Sequence, residues 1–389
     1  MNTSLGTRSP AKHFAFKLLR ELTQEDSTSN LFFSPASVML CLAMLYDGAA
    51  GETREALATA LEIAGTDAAA WSDSVKTISS LLQIRDAGLQ VALANSLWCN
   101  RQIQSEPDYV EHIRQHYNAE IHTLDFTSPD TVAKINTWVA QNTGGKILNM
   151  IDQLNALDLL VGVNAIYFKG DWELSFDKEL TTLNWFHVEG SGPIELPFMA
   201  QFGKYLYYEE SGFQAVRLPY KGSRIAMFVF LPQEKSNVME FQRSLDAPFW
   251  ERCMSRFTTA RVFLRMPRFT LEYFATLNRA LQNLGIKIAF DPKRARFDKI
   301  RIPPPAVWID TIVHRAVLEV NEEGTEASAA TMWKMRALGT KDPPSYKMIV
   351  DRPFFLSIVD AFTGTPVFMG SISQPVANLP GEERARLEQ

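Results

Sequence analysis

Cysteine is scarce in this chain of 389 residues, occurring only as Cys41, Cys99 and Cys253, far apart and without a CxxC pair. That spacing excludes a disulfide framework and a cysteine-built zinc cluster, and each thiol is read as a small core residue. A chain of this length that is 46% hydrophobic buries enough surface to fold without such staples. Histidine is also sparse: His13, His112, His116, His122, His187 and His314 are scattered, with no HExxH to hold zinc. A nucleophile elbow of the form GxSxG is missing, as is a GxGxxG after any strand. The stretch Thr143-Gly144-Gly145-Lys146-Ile147 lacks the earlier Gly and the Ser/Thr of a phosphate-cradling loop, so its Gly pair is read as a turn. Glu322 and Glu323 are adjacent, so on a strand they point to opposite faces and cannot act as one acid/base couple. No cofactor and no metal site are expected, and the chain is not expected to be an enzyme.

Positive charge is not in excess. Lys and Arg number 39 against 44 Asp and Glu, a net charge of −5 spread along the chain, so nucleic acid is not an expected partner. The densest basic run, Lys293, Arg294, Arg296, Lys299 and Arg301, offers a polyanion site as its functional reading. Asp291 and Asp298 dilute it, which favours a solvated face. Long apolar runs are lacking too: residues 225–231 are strand-length against the roughly 20 residues a membrane helix needs, so no membrane partner is expected. Residues 1–11 hold no continuous apolar stretch, and no signal peptide is visible. The cytoplasm is the expected compartment for a complete chain, the extracellular space if a leader has been removed.

What is present reads as mixed α+β. Phe14, Leu18, Leu19 and Leu22 share one face of a helix over residues 13–22. A second helix over 37–46 is followed by the helix-stop cluster Gly48-Ala49-Ala50-Gly51. A third opens with Glu52, Thr53 and Glu55 and buries Leu57, Ala60 and Leu61. Residues 161–168 form an apolar, β-branched run of the kind buried at a sheet centre. Beyond about residue 185 the pattern turns to β, with strands expected over 213–218, 225–231, 262–269 and 354–359. No internal repeat or Gly/Ser-rich linker interrupts the chain, so residues 1–389 are read as one domain with a flexible tail at 376–389.

One segment departs from the pattern. Between the strand ending near Val320 and the one starting near Pro353 lie about thirty residues with few large aliphatics, a length more often functional than structural. It opens Glu322-Glu323-Gly324-Thr325-Glu326-Ala327-Ser328-Ala329-Ala330-Thr331. Small side chains suit a strand that must enter a packed sheet, where overpacking costs about 1–3 kcal/mol per misfit. One alternate set is Thr325, Ala327, Ala329, Thr331, Trp333 and Met335; the other includes Glu326, Ser328, Lys334 and Arg336. The first set suits a buried face and the second a wet one. Gly324 supplies backbone freedom for the chain to turn into the sheet.

Ordered motifs along almost the whole chain accompany this segment. They include Asn30-Leu-Phe-Phe-Ser34-Pro35-Ala-Ser37, Gly48-Ala49-Ala-Gly51-Glu-Thr53, Asn136-Thr-Trp138, Asn164-Ala-Ile-Tyr167-Phe168-Lys169-Gly170-Asp-Trp172, Leu218-Pro219-Tyr220, Met266-Pro267-Arg-Phe269, His314-Arg315-Ala316, Arg352-Pro353-Phe354 and Phe368-Met369-Gly370. In this order they resemble the serpins. The resemblance implies the serpin fold, with three β-sheets, about nine helices and an exposed reactive-centre loop, here residues 322–352. It implies an irreversible inhibitor of serine, or cysteine, proteases that traps the acyl-enzyme by inserting the cut loop into the central sheet. The partner is then the target protease, held covalently, and a monomer is expected.

The resemblance also assigns residues. Glu322, Gly324, Thr325, Glu326, Ala327, Ser328, Ala329 and Ala330 form the hinge. Ser34, Ser37, Asn164 and His314 resemble the shutter, the polar cluster beneath the central sheet, and Trp172 resembles the breach tryptophan at its top. The family's hinge-to-bond spacing places the scissile bond between Leu338 and Gly339, which suits an apolar protease pocket. Arg336 and Met335 are alternatives, because the stretch from Gly339 to Arg352 with Pro343-Pro344 is longer than usual; cleavage after Arg336 would select trypsin-like targets. A non-inhibitory carrier or chaperone is the rival function, and its hinge would more often hold charge, Pro or bulk.

Overall fold

The computed structural model describes residues 9–25, 30–83, 85–86, 88–222, 224–234, 237–304, 306–323 and 345–377. Among them nine α-helices form: α1 (Pro10–Glu25), α2 (Pro35–Gly48), α3 (Gly51–Ala60), α4 (Ala68–Leu81), α5 (Pro107–Tyr117), α6 (Thr131–Asn142), α7 (Val238–Ser244), α8 (Ala247–Met254) and α9 (Asn278–Leu281). The apolar stripe of α1 is the expected one, with Phe14, Leu18, Leu19 and Leu22 all buried. Helix α2 begins where Pro35 fixes the first turn and the Ser34 hydroxyl accepts from Ser37 N, a capping arrangement. It is buried nearly all round, so it carries no amphipathic stripe. Gly48 belongs to its last turn, where a side chain would collide with Ile300 Cγ1 at 2.5 Å; close approach, more than chain reversal, demands glycine there. The expected turn at Gly144-Gly145 is present, with φ of 62° and 76°.

The smaller sheet has six strands: β2 (Arg85–Asp86), β3 (Leu89–Asn100), β4 (Glu120–Leu124), β5 (Leu160–Gly170), β11 (Phe269–Thr276) and β12 (Thr311–Val320), ordered β11-β12-β5-β3-β2 with β4 also on β3. The larger has nine: β1 (Leu31–Phe33), β6 (Thr182–Phe186), β7 (Ile194–Glu210), β8 (Phe213–Pro219), β9 (Ile225–Pro232), β10 (Thr258–Pro267), β13 (Tyr346–Ile349), β14 (Phe354–Asp360) and β15 (Pro366–Ile372). Its order is β1-β15-β14-β9-β8-β7-β10-β13, with β6 on β7. The three sheets implied by resemblance are joined into these two ladders because β7 is long enough to pair with β10 over 198–207 and with β8 over 206–210.

The single strand expected over 262–269 is two strands. β10 ends at Pro267, which has no N–H for the ladder, and β11 starts at Phe269 in the other sheet. Between them Arg268 N donates to Pro197 O, so the chain crosses from one sheet to the other at a single residue.

The smaller sheet is covered on both faces. One face meets the main core around α1, α2 and the larger sheet, through Ile166, Phe168, Ile312, Ala316 and Leu318. The other meets α6 and the stretch after it, through Val161, Val163, Val313 and Val317 against Ile135, Val139, Ile147 and Met150. Double coverage explains why β5 is apolar without alternation. Each such aliphatic side chain contributes about 1.5–3 kcal/mol on burial.

Candidate functional site

The centre of the smaller sheet is a seam. β5 and β12 run parallel and are hydrogen-bonded directly to each other, in register from Thr311 opposite Val161 to Leu318 opposite Phe168. Their outer neighbours β3 and β11 are antiparallel to them. A strand descending between β5 and β12 would run antiparallel to both, and would exchange one slanted parallel ladder for two antiparallel ones.

Beneath the seam, on the α2 side, Ser34, Ser37, Asn164 and His314 are fully buried and hydrogen-bonded to one another. Ser37 Oγ donates to Asn164 Oδ1 at 2.8 Å, and Asn164 Nδ2 returns a bond to Ser37 O at 3.1 Å. His314 Nδ1 lies 2.6 Å from Asn164 Oδ1, while its Nε2 accepts from Ser34 N at 3.2 Å. Ser34 Oγ donates to Val367 O at 2.7 Å. These bonds require the neutral ring with its proton on Nδ1, since Nε2 faces a donor. Burial pushes the imidazole down to about 3, outweighing the hydrogen bond to Asn164 that favours its charge.

At the top of the seam Trp172 is 3% exposed, stacks on Tyr220 at 4.5 Å between centroids, and donates from Nε1 to Asn321 O at 2.8 Å. Glu322 is buried: Oε1 accepts from Thr181 Oγ1 at 2.7 Å and Oε2 from Arg268 at 3.3 Å. Glu323 turns the other way, to Lys169 Nζ at 3.3 Å and Lys178 Nζ at 3.4 Å. The Lys169 ammonium, with Lys178 adding to it, holds the Glu323 carboxyl below its ordinary range despite partial burial. The two adjacent carboxylates thus serve separate ion pairs, and the chain enters the next segment from a fixed point.

Gly324, Thr325, Glu326, Ala327, Ser328, Ala329 and Ala330 of the hinge, and Met335, Arg336, Leu338 and Gly339 at the reactive bond, lie outside the described residues. The chain re-enters at Ser345, whose N donates to Arg261 O at 3.0 Å, and β13 then runs parallel to β10 in the larger sheet. The segment 324–344 therefore connects the top of one sheet to the edge of the other.

Sequence reasoning did not single out Thr181, Arg268, Lys169 or Lys178. Lys169 and Arg268 fall within the motifs spanning 164–172 and 266–269, but the role of all four depends on a partner far away in the chain, which no local pattern marks. In the basic run, Arg294 pairs with Glu52 at 3.0 Å and Arg296 with Asp298, while Ala295, Phe297 and Ile300 point into the core. Nucleophile chemistry has no foothold at the cysteines: burial pushes the Cys41 thiol up to about 12 and those of Cys99 and Cys253 to about 11. Among the described residues no cluster of three or more His, Cys, Asp or Glu is arranged to hold a metal, and no helix is long and apolar enough to cross a membrane.

A parallel seam, a buried polar cluster under it and a long connection from its top to a second sheet define a serpin-type architecture. Residues 9–375 match the family described as Serpin (serine protease inhibitor), and the chain belongs to that family. It is 33% identical to Serpin B6 of Pongo abelii over 374 residues, 93% of this chain and 97% of the relative. It is 32% identical over 368 residues to an uncharacterized serpin-like protein, TK1782, of Thermococcus kodakarensis, covering 93% of this chain and 84% of the relative. The native-state structure of tengpin, a thermophilic serpin, superposes with a TM-score of 0.85 at 26% identity, covering 96% of each chain. Members of this family are generally inhibitors of proteases, and are not enzymes themselves.

Proposed function

We propose that the protein is an irreversible, suicide-substrate inhibitor of serine proteases, with cysteine proteases as a second class of target. The observation that carries this reading is the direct β5–β12 pairing beside a hinge of small residues. The sheet is closed now, yet the strand that would fit between its central pair is encoded immediately after β12.

The protease nucleophile attacks the Leu338 carbonyl, the Leu338–Gly339 bond breaks, and the Gly339 amine leaves with a proton as an acyl-enzyme forms. Release of one loop end then lets residues from Thr325 onward descend between β5 and β12, carrying the esterified protease with them. Thr325, Ala327, Ala329 and Thr331 enter the packed face without overfilling it. The Ser34–Ser37–Asn164–His314 cluster acts as the shutter, holding one arrangement of the sheet, and Trp172 closes the point where insertion starts. Leucine at the reactive bond favours proteases with an apolar primary pocket.

The test is incubation with chymotrypsin-like, elastase-like and trypsin-like proteases, followed by a denaturing gel and sequencing of the released C-terminal fragment. A detergent-stable complex and a fragment beginning at Gly339 are expected. A fragment beginning at Ala337 would move the bond to Arg336, and cutting with no complex would favour the carrier reading instead.

A further inference from the structure

The lower end of the seam, opposite the hinge, opens into a cavity of about 720 Å³. Val161 of β5 and Thr311 and Val313 of β12 form its floor, so it straddles the join between the two strands. It lies on the α6 side of the sheet, since Val161 and Val313 belong to the core beneath α6. Phe274 and Thr276 of β11 flank it, and the stretch 151–158 overhangs it with two carboxylates, Asp152 and Asp158. Burial, and then the neighbouring Asp310, push the Asp158 carboxyl up. Asp310 itself is occupied by Leu159 N, Leu160 N and Trp308 Nε1. Neither Asp152 nor Asp158 has an ion pair to a described residue, so the cavity joins apolar walls to unneutralised negative charge.

A strand entering from the top and running antiparallel to β12 reaches this level after a countable number of residues. If the chain reversed around Gly324 so that Thr325 stood opposite Val320, each further residue would descend by about 3.3 Å past one residue of β12. Lys334 would then stand opposite Thr311 and Arg336 just below it. Directly opposed residues share a face. Thr311 faces the α6 side, so in that register Lys334 and Arg336 would as well, while Thr325, Ala327 and Ala329 would face the α2 side.

We propose that this cavity receives the Lys334 and Arg336 side chains of the cut loop, their cationic heads pairing with Asp152 and Asp158 and their methylene stems lying on Val161, Val313 and Phe274. The inference rests on the insertion reading and adds a chemical lock to its far end. The carboxylates have no ion pair to a described residue in the uncut molecule, where Asp158 also repels Asp310, and would be neutralised once the loop has travelled the whole seam. Part of the driving force for the last stage of insertion then comes from charge pairing at the bottom of the sheet. Basic residues on the outward set of the loop are functional in this scheme, where sequence alone assigns them only to a wet face.

The experiment compares calorimetric melting, at low ionic strength, of intact protein and protein nicked at the reactive bond. It uses wild type, the double variant Asp152→Asn with Asp158→Asn, the double variant Lys334→Gln with Arg336→Gln, and all four changes together. The nicked Asp152→Asn/Asp158→Asn protein is expected to melt about 3 °C below nicked wild type, with the intact form unchanged or slightly higher in melting temperature. The Lys334→Gln/Arg336→Gln variant is expected to lose a similar amount, and the fourfold variant no more than either. Nicked variants that match nicked wild type, or losses that simply add, would overturn the lock while leaving insertion standing. A nicked wild type that melts with the intact protein would overturn insertion itself.

Discussion

Asn164 and His314 occupy the same register position on neighbouring strands, so their 2.6 Å hydrogen bond ties β5 to β12 from below. Any strand that enters between them must first separate this pair. The bond depends on a neutral ring, and acid therefore acts on it directly. His314 titrates near 6.5 when unfolded and near 3 when folded. Between those values the unfolded chain holds the extra proton, so the stability the neutral ring supplies is complete above about pH 6.5 and drains away as pH falls toward 3. Ser34, Ser37 and Asn164 do not titrate, leaving the ring as the source of this slope within the cluster. The melting temperature of wild type should fall more steeply over this window than that of His314→Gln, whatever the variant's stability at neutral pH. Parallel pH profiles would remove His314 from this role.

The ion pair between Glu322 and Arg268 is largely buried, the two side chains being 3% and 13% exposed, and removing one partner deprives the other of that pairing. Glu322→Ala should cost about 3 kcal/mol in urea unfolding, and Arg268→Ala a comparable amount. The double variant should lose clearly less than the sum of the two, because the coupling has already gone. Additive losses would show that the pair does not act as a unit.

Bulk or charge in the hinge should turn an inhibitor into a substrate. Ala327→Glu would place a carboxylate on the face proposed to enter the core, where an unpaired charge is strongly disfavoured. The number of inhibitor molecules consumed per protease trapped should rise by about tenfold or more, with cut protein accumulating in place of complex. Glu326→Ala, on the opposite face, should leave that ratio unchanged.

Leu338→Arg tests the position of the reactive bond. Association with a trypsin-like protease should accelerate by about a hundredfold or more, as that with a chymotrypsin-like protease declines, because a charged primary pocket selects a charged side chain. If Arg336 were the cut position, this change would leave the trypsin-like rate nearly unaltered.

Much of the scaffold is legible in the sequence because its cause is periodic. The i, i+4 spacing in α1 and the unbroken apolar run of β5 report their own burial. The break at Arg268 is only half legible: Pro267 marks where β10 can end, but the switch of sheet depends on the distant Pro197 carbonyl that accepts from Arg268 N. The grouping of Ser34, Ser37, Asn164 and His314 follows from resemblance alone; no spacing brings residues 280 positions apart into one hydrogen-bonded set. Asp152 and Asp158 are invisible for a related reason. They acquire meaning only when the stretch that carries them is folded over the start of two strands from different parts of the chain.

Beyond the proposed reactive bond the chain builds β14 and β15, every residue of which is buried, and β15 is clasped by β1 from the opposite end of the chain. Severing the backbone upstream of them consequently liberates no peptide under native conditions. The two pieces are therefore expected to stay interlocked as one particle, so size-based separation should not distinguish cut molecules from uncut ones until the protein is denatured.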